Sequence, residues 1–217
     1  MLNKSKGNMY PWVTHTWNTV KGKCPHDCSY CYMKRCPQPE LHFDEKACNT
    51  NLGYGKTIFV GSSCDMWAAT ITPSWIEATL SICRKYANAY LFQSKNPIRF
   101  NGWIFPEYTI LGCTIETNRF YADISKSFSP SGRYQNFTNL KLPKMVSIEP
   151  IMDFDLDTLI EWMQDIKPEF VSIGADSGNN HLPEPSSDKV KALIESLKEF
   201  TEVKIKDNLS RLAEPQR

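Results

Sequence analysis

Apolar positions along the chain fall into two patterns. Short continuous runs, rich in β-branched and aromatic residues, occupy 14–20, 57–61, 89–93, 108–115, 145–149 and 170–174, with a seventh candidate at 203–206. Runs without polar alternation suit strands buried on both faces, so they predict parallel strands rather than a half-solvated antiparallel sheet. Between them, apolar residues recur at helical spacing. Leu156, Leu159, Ile160, Met163 and Ile166 share one helical face, and Val190, Leu193, Ile194, Leu197 and Phe200 share another. A third helix starts with Thr72 as N-cap and Pro73 at its first helical position, and turns Ile76, Leu80 and Cys83 inward. Strand and helix alternate, which implies βα units. A closed eightfold barrel usually takes about 250 residues. The chain has 217, so the pattern predicts an α/β protein: an open, partial (β/α)6 barrel with parallel strands inside and helices outside, forming one domain over 1–217. No internal repeat, low-complexity tract or linker interrupts it.

Composition agrees with a packed domain. Hydrophobic residues make up 41% of the chain and aromatic residues 12%, and a chain of this length buries roughly 70% of its unfolded surface without disulfide staples. No apolar run approaches the ~20 residues of a membrane span. The start, MLNKSKGNMYPW, lacks the apolar stretch of a secretory signal. These features predict a cytoplasmic protein with no membrane association. The net charge of +1 conceals an asymmetry: residues 1–144 carry 17 basic and 9 acidic side chains, and residues 145–217 carry 8 and 15. Either the basic part offers a face to an anionic partner such as nucleic acid, or the acidic third simply has solvated helices.

In parallel βα folds chemistry gathers where strands end. After the first predicted strand comes Cys24-Pro25-His26-Asp27-Cys28-Ser29-Tyr30-Cys31, a CxxxCxxC spacing. In a reducing compartment such a cluster reads as a metal site before a disulfide framework. Three thiolates are one ligand short of a closed zinc or [4Fe–4S] site. Either His26, His42, Cys36 or Cys48 completes a zinc site, or three ligands leave one iron open. Cys36 and Cys48 are also candidates for an auxiliary cluster, although no second close spacing supports one.

The spacing, its place after strand one and the βα pattern resemble the radical S-adenosylmethionine (SAM) superfamily. The resemblance implies a [4Fe–4S] cluster on Cys24, Cys28 and Cys31, with SAM chelating the open iron through its amino and carboxylate groups and Tyr30 packing near the adenine. Gly61-Ser62-Ser63-Cys64-Asp65 stands where the superfamily often has a glycine-rich segment touching the SAM amino group. Gln93-Ser94-Lys95-Asn96-Pro97 is similar to the Thr-Lys segment of spore photoproduct lyases, where the Lys meets the SAM carboxylate, with Ser94 standing in for the Thr. Strand four ends Thr114-Ile115-Glu116-Thr117-Asn118, strand five Ser147-Ile148-Glu149-Pro150, and strand six Gly174-Ala175-Asp176-Ser177-Gly178. With Lys206-Asp207-Asn208, these motifs resemble, over nearly the whole chain, a phage and prophage associated family of small radical SAM proteins of unknown function.

The expected SAM-binding set is therefore Tyr30, Gly61, Ser62, Ser63, Lys95, Thr114, Glu116 and Glu149. Buried carboxylates are expensive unless paired or bound. Glu116 and Glu149 either hold SAM or a polar substrate, or form internal salt bridges to Arg119 or Lys95. Cys64 is either a hydrogen-atom donor to a product radical, as a Cys is in spore photoproduct lyase, or a packed, inert thiol. A strongly reducing cluster implies a flavodoxin or ferredoxin donor. Residues 118–141 interleave Arg119, Lys126, Arg133 and Lys141 with Phe120, Tyr121, Phe128, Tyr134 and Phe137, which suits a nucleic acid or a helix with an ordered surface loop. A nucleobase, nucleotide or nucleic-acid substrate is the first expectation. A peptide or small metabolite is the second, and a non-catalytic zinc module that binds nucleic acid is the rival of another class. Asp153, Asp155 and Asp157 read as helix-start carboxylates rather than metal ligands.

Overall fold

The structure, a computed structural model, describes residues 1–213. Its main sheet runs in the order β1 (Leu2–Lys4), β2 (His15–Trp17), β5 (Thr57–Val60), β6 (Ala89–Ser94), β7 (Thr109–Thr114), β8 (Lys144–Ile148), β9 (Phe170–Ile173), β10 (Glu202–Ile205), with β3 (Val20–Lys21) and β4 (His42–Phe43) forming a separate antiparallel ribbon. From β2 to β10 every pairing is parallel, and spatial order follows chain order. That is the winding of a barrel, left open because β1 and β10 do not pair. The six expected strands and the seventh candidate are all present. β1, which adds antiparallel to β2, was not foreseen, because Leu-Asn-Lys on an exposed edge carries no apolar run.

Five connections carry α-helices: α1 (Glu45–Cys48), α2 (Pro73–Cys83), α3 (Pro130–Thr138), α4 (Leu156–Ile166) and α5 (Ser187–Lys198), while α6 (Ser210–Ala213) follows β10. Helix α2 starts at Thr72-Pro73 as expected, although the Thr72 hydroxyl makes no capping bond. Ser129 does cap α3, its hydroxyl accepting from the Gly132 amide at 3.1 Å. Helix α4 buries Leu159, Trp162, Met163 and Ile166. Helix α5 buries Val190, Leu193, Ile194 and Leu197, with Phe200 beyond its end and exposed. After β6 the chain makes only a short 3-10 turn, Pro97–Phe100. Gly102, at φ +83, then turns it out of helical geometry.

One face of the sheet packs on the helices through Ile58, Val60, Tyr90 and Phe92. The other, concave face holds a smaller cluster of Tyr10, Val13, Leu91, Met145 and Phe170. Tyr10 belongs to the loop between β1 and β2, so that loop enters the barrel. Its hydroxyl donates to Gln93 Oε1 at 2.9 Å and accepts from the Ser147 hydroxyl at 2.8 Å. Trp12 packs edge-on against Phe170 at 5.2 Å. Lys206, just after β10, donates to the Asn8 carbonyl and stands over the Tyr10 ring. The loop thus bridges the two unpaired edges of the barrel.

Candidate cofactor and active site

The loop with the three cysteines leaves β3 and folds across the C-terminal ends of β5, β6 and β7. Asp65, in the turn after β5, ties these parts together. Its Oδ2 accepts from the Lys95 amide at 2.9 Å and from Ser94 Oγ at 2.9 Å, both from β6 and its end, and meets His26 Nε2 of the cysteine loop at 2.8 Å, while Oδ1 accepts from the Trp67 amide at 2.9 Å. Burial pushes the Asp65 carboxyl up, but His26 and the two amides hold it below the usual carboxylate range. Burial works against the His26 imidazolium, yet Asp65 raises its pKa.

At the end of β6, the Lys95 ammonium lies 3.3 Å from Cys28 Sγ and 2.7 Å from Glu116 Oε1, and contacts the Tyr30 hydroxyl. Glu116, just past β7, also accepts from Arg133 Nη1 of α3 at 2.6 Å and contacts the Tyr30 hydroxyl. Burial opposes ionisation of Glu116, but Arg133 and Lys95 outweigh it and hold its pKa at about 2. Lys95 is kept charged for the reciprocal reason: desolvation lowers its pKa, but Glu116 and Cys28 outweigh this and raise it. Of the two salt bridges anticipated for Glu116, the one to Lys95 forms. The second cation is Arg133, not Arg119.

The stretch after β7 lies over the cysteine loop as a strap. The Ser29 amide donates to the Ile124 carbonyl at 2.8 Å, the Lys126 amide to the His26 carbonyl at 2.7 Å, and Lys126 Nζ pairs with Asp27 at 2.8 Å. Ser125 Oγ lies 3.2 Å from Cys28 Sγ. Segment 118–141 therefore spends most of its cations internally, because Arg119 is taken by Asp153 and Asp155 and Arg133 by Glu116. Asp155, expected to cap α4, makes no side-chain capping bond and instead binds Arg119.

The remaining expected residues lie at neighbouring strand ends. Gly61 has φ +82, a conformation that favours glycine. Ser62 and Ser63 are held by Asn18, whose Oδ1 accepts from the Ser63 amide at 3.1 Å. The Thr114 hydroxyl accepts from Gln93 Nε2 at 2.9 Å. Glu149 is on the far side of the barrel mouth, paired with Lys206 at 2.7 Å and accepting from Asn8 Nδ2 at 2.9 Å. Neither Arg119 nor Lys95 reaches it, so its partner is a lysine that local spacing could not reveal. Gly174 makes room for it: a Cβ there would lie 2.6 Å from Glu149 Oε1. Beyond Glu149, a cleft of about 760 Å³ at the ends of β9 and β10 is lined by Asp176, Ser177, His181, Asn208 and Arg211.

Cys24 and Cys31 are half-buried, and Cys28 is buried. The Cys64 thiol lies against Cys24, which lowers the Cys24 pKa to about 6 despite burial and nearby Asp65, and raises that of Cys64 itself. Cys83 and Cys113 are core residues. Among the described residues no three His, Cys, Asp or Glu side chains converge as one metal ion requires. The fourth ligands considered for zinc are engaged elsewhere: His26 with Asp65, His42 Nδ1 with the Glu40 carbonyl at 2.8 Å, and Cys48 with the Asp44 carbonyl at 3.8 Å, while Cys36 is exposed. What the loop offers is three thiols, one of which, Cys28, lies beside a buried lysine, a donor set that fits a cluster with one open iron. Among the described residues no helix is long and apolar enough to cross a membrane.

Sequence reasoning weighed His26 only as a zinc ligand, named Asp65 only as the end of the turn after strand two, and did not join Arg133 to Glu116. Their roles depend on partners 17 to 39 residues away, and a hydrophobic period carries no trace of such pairs.

No family model and no curated protein matches the chain in sequence. Its fold is similar to that of a spore photoproduct lyase mutant with bound AdoMet and dinucleoside spore photoproduct, with a TM-score of 0.64 at 10% identity over 92% of this chain and 78% of that one. It is also similar to Streptococcus suis SuiB bound to S-adenosylmethionine (TM-score 0.54, 9% identity, 95% of this chain and 53% of that one) and to SuiB bound to precursor peptide SuiA (TM-score 0.55, 8% identity, 90% and 49%). The open, mostly parallel sheet with helices around it is the fold of these radical SAM enzymes.

Proposed function

We propose that the protein is a radical SAM enzyme whose [4Fe–4S] cluster is held by Cys24, Cys28 and Cys31. The observation that carries this reading is the three-thiol loop folded over parallel strand ends, with the Lys95 ammonium 3.3 Å from Cys28 Sγ. The fold shared with a spore photoproduct lyase and SuiB, each with bound S-adenosylmethionine, supports it. When bound, cluster and SAM together supply one-electron reductive cleavage to methionine and a 5′-deoxyadenosyl radical.

The chain's own residues position and shield. Lys95 offers its cation to the SAM carboxylate, releasing Tyr30 to pack beside the adenine. Gly61, Ser62 and Ser63 present a tight turn to the amino group, while Thr114, Glu116 and Glu149 line the strand ends with hydrogen-bonding groups. The strap over Cys28 shields that sulfur from water. Cys64 is the candidate hydrogen-atom donor, and a folded Cys64→Ala variant with unchanged turnover and product removes it from that role.

For the substrate, a nucleobase, nucleotide or nucleic acid is favoured, because the neighbour with the higher TM-score and fuller coverage carries a dinucleoside. The peptide-bound neighbour keeps a peptide as the second reading. The electron donor is a flavodoxin or ferredoxin.

Anaerobic iron–sulfur reconstitution, dithionite reduction and analysis for 5′-deoxyadenosine test the proposal. Wild type is expected to bind about four irons and cleave SAM, and Cys28→Ala to do neither. Zinc uptake without iron, or iron without cleavage in the presence of candidate nucleosides and peptides, overturns it.

A further inference from the structure

Across the barrel mouth from the cysteine loop, Lys206 and Glu149 meet at 2.7 Å with side chains only 7% and 16% exposed. One residue of the loop between β1 and β2 bonds to both. Asn8 donates its side-chain amide to Glu149 Oε1 at 2.9 Å, and its backbone carbonyl accepts from Lys206. Asn8 is itself exposed and follows Gly7, which has φ +64 and, among the described residues, nothing within 4 Å of where a Cβ would stand. A hinge residue and an exposed position make Asn8 a removable occupant of a buried ion pair. What it offers that pair is one N–H and one C=O, side by side. Glu149 Oε1 also accepts from Asn208 Nδ2 at 3.3 Å, and Asn208 lines the cleft of about 760 Å³. The ion pair therefore adjoins a space large enough for a ligand.

We propose that Glu149 and Lys206 read the edge of a nucleobase, Glu149 accepting from a ring N–H and Lys206 donating to the neighbouring carbonyl, and that Asn8 holds this position until the base displaces it. The assignment rests on the radical SAM reading and names the part of the substrate that the barrel recognises. Geometry selects the class. The carboxylate and the ammonium are adjacent, so the N–H and C=O they bind must point to the same side. A ring imide such as that of uracil holds them so. A trans peptide bond directs its N–H and C=O to opposite sides, and Asn8 satisfies the pair only by combining a side-chain N–H with a backbone C=O. A phosphate brings acceptors alone and sets its charge against the carboxylate.

The experiment uses reconstituted holoprotein with SAM and no reductant, and reads the dissociation constants of uridine, N3-methyluridine and acetyl-dialanine methylamide by calorimetric titration. Wild type is expected to bind uridine, and to bind N3-methyluridine at least about tenfold more weakly, because the N–H that meets a charged acceptor is gone. Glu149→Gln is expected to weaken uridine by about the same factor. Asn8→Ala, which removes the competing side-chain bond and leaves the ion pair in place, is the second variant and should bind uridine severalfold more tightly than wild type. Absence of uridine binding, equal affinity for uridine and its N3-methyl form, or tighter binding of the peptide amide overturns the base-reading pair. So does a Glu149→Gln variant that loses SAM and keeps uridine, since the carboxylate then serves SAM. Wild type that binds uridine as expected but forms no 5′-deoxyadenosine with dithionite defeats the radical SAM reading instead, and leaves base recognition standing.

Discussion

Glu116 is 1% exposed and carries a charge between two cations, Lys95 and Arg133. Replacing one member of such a group costs more than the group is worth, because a buried charge is left uncompensated. Glu116→Gln is therefore expected to lower stability by about 3–5 kcal/mol in urea unfolding, and to loosen Lys95. The pH dependence follows from the depressed pKa. Folded Glu116 titrates at about 2 and the unfolded group at 4.5, so its contribution is complete above pH 4.5 and drains away as pH falls towards 2. Across that window wild type should lose up to about 3 kcal/mol more than Glu116→Gln. Lys95→Ala is expected to weaken SAM binding at least about tenfold, one charge-assisted hydrogen bond being worth about 1.5–3 kcal/mol. Equilibrium SAM binding to the reconstituted variant checks this. The cysteine spacing was legible because its three cysteines sit within eight consecutive residues. Arg133 was not, because an arginine in an aromatic-rich stretch looks the same in sequence whether it meets solvent or a buried carboxylate.

At the scale of elements, the parallel strands were readable because burial on both faces leaves runs such as Thr57–Val60 and Lys144–Ile148 without polar alternation. Helices α4 and α5 were readable from one apolar stripe each. β1 escaped because an exposed edge strand obeys no such rule, whereas the helix weighed for 118–141 is present as α3, with Ser129 capping its polar first turn, Pro-Ser-Gly. The turn after β5, the end of β6 and the cysteine loop are joined through a single side chain, Asp65. Asp65→Asn keeps the shape but removes the charge that His26 and the Lys95 amide meet. It is expected to speed amide exchange across residues 24–31 and to lower iron retained after reconstitution, while α4 and α5 keep wild-type protection. Hydrogen exchange with iron analysis reads both, and unchanged exchange in 24–31 would remove Asp65 from this joining role.

For the whole molecule, the decisive feature is the loop between β1 and β2, which joins the open edges of the barrel through its interior. Tyr10→Phe leaves Gln93 and Ser147 without their phenol partner, a loss expected to cost about 1–3 kcal/mol on thermal unfolding. Nothing near residues 1–13 hinted at this, because the contacts are made with strands far along the chain. The Asn8 carbonyl and Lys206 are 198 positions apart. On a ribosome adding about 5–20 residues per second, some 10–40 seconds separate their synthesis. Asn8 is thus made well before the lysine that holds it. Until then Tyr10 and Trp12 wait in the open, preceded by Asn3, Lys4, Lys6 and Asn8, polar company that keeps this segment in water while the barrel it will close is still being built.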